Sequence, residues 1–178
     1  MFDDSDIKIA GNKPSESIDD SDSLNVDENP TSDEVNKCHT LGRAIAEQFL
    51  KEVTVPFMDE NDDPQMSLQR KLLLSFTVTV GLDKFCRDDT VSGIAQKSFL
   101  DTVKKLSPAL FVACNDTGAY SFYYLAFRRG NDVERRMGQT FAMLCSHDGD
   151  PIYQELGETL YCWFMSVVKE QVENLGLN

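Results

Sequence analysis

Apolar side chains return every three or four positions along most of this 178-residue chain. That is the period of a helix with one face in a core. Val35, Cys38, Leu41, Ile45, Phe49 and Val53 form the first stripe, behind Thr31-Ser32-Asp33-Glu34, the pattern of a capping box. Val91, Ala95, Phe99, Val103 and Leu106 form another. So do Val133, Met137, Phe141 and Leu144, and then Ile152, Leu156, Leu160, Trp163 and Val167. Asp63-Pro64, Ser107-Pro108 and Asp150-Pro151 read as helix starts. Asp or Ser at the cap accepts a bond from a free backbone N–H, and proline in the first turn surrenders no donor that is needed. Val55-Pro56, Gly130, Asp148-Gly149 and Gly176 read as stops. The pattern predicts an all-α, compact bundle of six or seven helices.

Two stretches resist a single stripe. Leu68, Leu72, Leu73, Phe76 and Val80 cover much of a helix circumference, which predicts a central helix from Pro64 to about Cys86. Within it, Phe76-Thr77-Val78-Thr79-Val80 alternates and is β-branched, a strand signature. No turn residues bound it, and helix is the preferred reading. Ala119 to Arg129 is dense in aromatics (Tyr120, Phe122, Tyr123, Tyr124, Phe127), and adjacent Tyr123 and Tyr124 cannot face the same way. The proline pairs recur 44 and 43 residues apart, a length seen in stacked two-helix repeats, so a weak repeat is an open reading.

Charge divides the chain. Residues 1–34 hold eleven acids against two lysines, a surplus of nine. The other 144 residues hold 19 acids and 15 bases. Residues 1–30 are rich in Asp, Ser and Asn and poor in apolar side chains, which predicts a disordered acidic tail ahead of a single all-α domain at 31–178. Phosphorylation at Ser15, Ser17, Ser21 or Ser23 would deepen the tail's charge. Neither part carries the basic field that nucleic-acid binding needs. No apolar run approaches the roughly 20 residues that span a bilayer. Five cysteines without a CxxC read as reduced core thiols, which suits a cytoplasmic protein.

The chemical motifs mostly fail on spacing. Asp59-Glu60-Asn61-Asp62-Asp63 alternates oxygen ligands like a calcium loop, but Pro64 stands at the glycine position and Arg70 at the bidentate glutamate. Glu155 and Glu158 lie about 22 Å of helical rise from Glu170 and Glu173, too far to share an ion on one helix. Cys38-His39 and Cys145-x-His147 lack zinc-pair spacing. No metal and no cofactor is expected.

What remains is a basic and aromatic stretch. Arg128 and Arg129 end one predicted helix, and Arg135 and Arg136 open the next, where the helix dipole disfavours cations. Asp132 and Glu134 are the nearby acids that could balance them. Together with Tyr120, Tyr123 and Tyr124, the arginines are the candidate anion or partner site. The reading that follows is a non-catalytic interaction or small regulatory module using residues 120–136, with a protein partner or self-association and the acidic arm able to cover the arginines. The alternative is a small-molecule or anion-binding all-α protein, hydrolytic in one version, with an inter-helix pocket lined by Tyr and Phe, anchored by Arg and with Glu155 or Glu158 as an acid.

Overall fold

The computed structural model describes residues 30–55, 63–114 and 117–178. The acidic tail, and all but the last residue of the predicted acidic loop at 59–63, lie outside them. Among the described residues there are seven helices and no strand: α1 (Ser32–Thr54), α2 (Pro64–Phe85), α3 (Asp89–Leu106), α4 (Pro108–Cys114), α5 (Thr117–Arg128), α6 (Val133–Leu144) and α7 (Pro151–Leu175). The all-α prediction is met with seven helices.

Helices start at all the predicted signals, with side-chain caps at Thr31, Asp63 and Asp150. Glu34 N–H donates to the Thr31 hydroxyl, and Thr31 N–H donates to the Glu34 carboxylate, closing the capping box. The carboxylates of Asp63 and Asp150 accept from Gln65 N–H and Ile152 N–H, each at 2.9 Å, with Pro64 and Pro151 in the first turn. Ser107-Pro108 opens α4, where Phe111 N–H reaches the Ser107 carbonyl. One cap escaped the sequence reading. Asp88 accepts from both Thr90 and Val91 N–H groups and starts α3 two residues before its apolar stripe.

The second helix is the centre of the fold. It packs against all six of the others. Every residue from Leu72 to Val78 is buried, so the helix has no solvent face along that stretch. This explains the strand-like run. Alternation signals a strand when one face is wet, and here every face is dry. The Thr77 hydroxyl, which needs a partner when buried, bonds back to the Leu73 carbonyl at 2.8 Å.

Around α2 the tightest pairings are α1 with α3 and α6 with α7, and α7 also lies along α2. The α2–α7 and α1–α7 contacts join helices remote in sequence, unlike a linear array, in which each repeat meets only its neighbours. Small residues set the close approaches. A Cβ on Gly42 would run into the Ala95 carbonyl oxygen, and one on Gly138 into the Gln154 carbonyl oxygen. The core includes Phe49, whose ring meets Phe99 edge-on at 5.5 Å and Phe164 at 6.4 Å. Buried residues from all seven helices join one apolar cluster.

Three chain segments meet at one end of α2. Arg87 N–H donates to the Leu177 carbonyl, and Leu177 is buried beyond the left-handed Gly176 that ends α7. The Arg87 guanidinium bonds the carboxylates of Glu34 on α1 and of Asp88. The entry to α1 is thereby tied to the exit of α2.

Candidate functional site

The aromatic stretch of α5 divides three ways. Ala119, Tyr123 and Ala126 face the core, and Tyr123 is completely buried. Tyr120 and Phe127 are half-buried. Phe122, Tyr124 and Leu125 stand in solvent at 48%, 52% and 59% exposure, which is unusual for three large apolar residues on two turns of one helix. The sequence sets Tyr123 with the surface residues. The structure places it inside, because helix geometry turns it about 100° from Tyr124 and towards α2.

Phe76 of α2 anchors the contact. Its ring meets Tyr120 edge-on at 5.7 Å, Tyr123 at 5.8 Å and Phe127 edge-on at 6.3 Å. The Tyr120 and Ser75 hydroxyls lie 2.7 Å apart in a hydrogen bond. Burial pushes the Tyr120 phenol up to about 12 and raises Tyr123 well above the ordinary tyrosine range. Both phenols therefore stay neutral near pH 7 and serve as hydrogen-bonding groups.

Beside this contact, α2 and α5 flank an open groove of about 570 Å³. Phe76 and Val80 form one wall, and Tyr120, Tyr124 and Phe127 the other. Asp83 and Lys84 line it on the α2 side. Asp83 accepts from the Ser92 hydroxyl of α3, while Lys84 lies over the Phe85 ring. The Arg128 guanidinium lies over the Tyr124 ring at 5.7 Å, so a cation borders the α5 wall.

The other arginines follow at the turn between α5 and α6. Arg129 and Arg135 are exposed. Arg136 is half-buried, and its Nη1 is shielded from solvent with no hydrogen-bond partner. Asp132, in a left-handed conformation at φ 50°, makes no cap bond. Among the described residues, no carboxylate comes within ion-pair distance of Arg128, Arg129, Arg135 or Arg136. The neutralising role offered by Asp132 and Glu134 in the sequence is not taken up there.

The α2 half of the groove is what sequence reasoning missed. Thr79 and the Asp83-Lys84 pair are polar positions about one turn apart near the end of α2, and that spacing was the available signal.

The other candidates do not converge. Unbroken α7 carries both glutamate pairs, and Glu173 pairs with Lys169 at 3.7 Å. Glu155 and Glu158 do not line the α2–α5 groove. The His147 ring stacks on Tyr153 at 3.7 Å. All five cysteines are free, and four are buried. Among the described residues, no three His, Cys, Asp or Glu side chains group as a metal site, and no helix is long and apolar enough to cross a membrane. A smaller cavity of about 220 Å³ lies between α1, α2 and α7. It borders buried Arg70, which donates to the Val55 carbonyl at 2.8 Å and so ties the end of α1 to α2.

The class defined here is an all-α bundle built on a buried central helix, with an apolar groove edged by cations. No family model matches the chain, and no curated protein or solved structure shows significant similarity to it.

Proposed function

We propose that this protein is a non-catalytic helical interaction module that takes an apolar, acidic segment of a protein partner in the α2–α5 groove. One observation carries the reading. Tyr124, 52% exposed, stands on the wall of an open apolar groove, Phe122 and Leu125 are exposed elsewhere on the same helix, and Arg128 and Arg129 lack ion-pair partners among the described residues. Aromatic side chains with flanking arginine are the composition of interface hot spots. A groove between two helices is also the usual receptor for an amphipathic helix or an extended peptide. The cysteines, all reduced, suit a cytoplasmic setting for this activity.

Selection from a displayed library of random 16-residue peptides tests it. The expected binders carry two or more large apolar residues bracketed by Asp or Glu. Their affinity should fall at least about tenfold with Tyr124→Ala or Arg128→Glu, the loss ordinary for a hot-spot residue. Binders insensitive to both changes would overturn the reading.

A small-molecule reading draws support from the groove's volume, which lies in the range of ligand sites. It would need an enclosed cavity with polar groups converging on it. This groove is open, and the Tyr120 hydroxyl is already bonded to Ser75.

A further inference from the structure

We propose that the protein's own segment Asp20–Glu28 occupies the α2–α5 groove and competes there with outside partners. The inference rests on the reading of the groove as a peptide-binding surface and names how that surface is regulated.

Position comes first. The arm preceding α1 leaves the bundle near the C-terminal end of α2, because Glu34 in the first turn of α1 is bonded to Arg87 just beyond that helix. Arg87 lies three residues beyond Lys84, which lines the groove. Seven residues from Thr31 back to Leu24 span up to about 23 Å when extended. The wall of α2 between Phe76 and Lys84 rises only about 12 Å. The tether exceeds that wall by about 11 Å, which is the reach left for crossing from the start of α1 to Lys84.

Chemistry agrees with position. The segment reads Asp20-Ser21-Asp22-Ser23-Leu24-Asn25-Val26-Asp27-Glu28. Leu24 and Val26 are two positions apart, so in an extended chain both side chains meet the same surface. Asp20, Asp22, Asp27 and Glu28 bracket them, and no base interrupts. The groove offers the complement, apolar walls of Phe76, Val80 and Phe127 with Lys84 and Arg128 beside them, while its carboxylate, Asp83, accepts from the Ser92 hydroxyl.

A cis ligand on a short tether acts at an effective concentration of about a millimolar. It holds off weak partners and yields to a tighter or more concentrated one.

The test uses the full-length chain, the full-length Leu24→Ser/Val26→Ser variant and a fluorescent peptide of residues 18–30. Both substitutions precede α1 in the sequence. The peptide is expected to bind the variant about tenfold more tightly than the wild type, since the wild-type groove is already filled. Adding Lys84→Glu and Arg128→Glu to the variant should weaken the peptide at least tenfold. Equal affinity for wild type and variant would overturn self-occupancy while leaving the groove a peptide surface. No binding to either would overturn the choice of occupant, and the library selection would still decide the broader reading.

Discussion

Gly138 and Gly93 separate two uses of the same residue. A Cβ on Gly138 would collide with the backbone of Gln154, which cannot swing aside as a flexible side chain would. Gly138→Ala is expected to cost about 1–3 kcal/mol, as overpacking usually does. Thermal unfolding should then begin roughly 2–10 °C lower for a chain of this size. Gly93 is exposed in the middle of α3, and a Cβ there meets nothing within 4 Å. Gly93→Ala should stabilise the chain by about 0.5–1 kcal/mol, the difference in helix propensity. Equal effects at the two sites would contradict the α6–α7 approach described above. Titration offers a further check. Burial pushes the thiols of Cys86 and Cys114 up to about 11 and that of Cys145 up to about 12. Tyr161 is likewise pushed up to about 12, chiefly by burial. An unfolded chain releases thiol protons near pH 8.5 and phenol protons near pH 10, while the folded chain retains them. The stabilisation is therefore full below about pH 8.5 and is lost as pH rises towards the folded values. Melting followed by circular dichroism should show Tm falling steadily from pH 8.5 to 11. A flat profile would count against these buried thiols and phenols.

Helix α2 shows why local pattern and environment must be read together. Its β-branched run has strand propensity, but propensity is worth only tenths of a kcal/mol per residue. Burial of Leu72, Leu73, Phe76 and Val78 on all sides outweighs it at roughly 1.5–3 kcal/mol for each large side chain. Its two buried hydroxyl residues make opposite predictions. Ser75 holds the Tyr120 phenol, so Ser75→Ala should cost about 1 kcal/mol and loosen α5. The Thr77 hydroxyl only doubles a bond on a carbonyl of its own helix, so Thr77→Val should change stability by less than about 1 kcal/mol. Chemical denaturation of the two variants checks both, and a larger loss at Thr77 than at Ser75 would refute the assignment. Element boundaries were legible wherever a cap residue met proline or a stripe met glycine. The start of α3 was not, because Asp88 and Asp89 resemble any acidic turn until the Thr90 and Val91 N–H groups are seen pointing at Asp88.

Across the whole molecule, α2 is the element every other helix leans on, which predicts a graded response to opening. Amides of residues 72–82 should exchange slowest and report global unfolding, because exposing them requires the surrounding helices to part. Helix α4, seven residues long with only Leu110 and Cys114 buried, should exchange fastest of the seven. Residue-resolved exchange by NMR measures this, and slowest exchange outside α2 would mean the centre lies elsewhere. The candidate surface was half legible by the same logic. Its arginines and aromatics stand out in the chain because such residues cluster within twenty positions. The opposite wall, Thr79 to Lys84, comes from a helix some forty residues earlier, and Tyr123 turned inward when Phe76 arrived to meet it. Amphipathic period, caps and stops are short-range properties, set by neighbours within a turn or two, and the amino-acid order alone specified them. Which helix is central, which aromatic faces are left uncovered and where a groove opens depend on how rigid cylinders fill shared space. Those were decided only when side chains distant in sequence competed for the same volume.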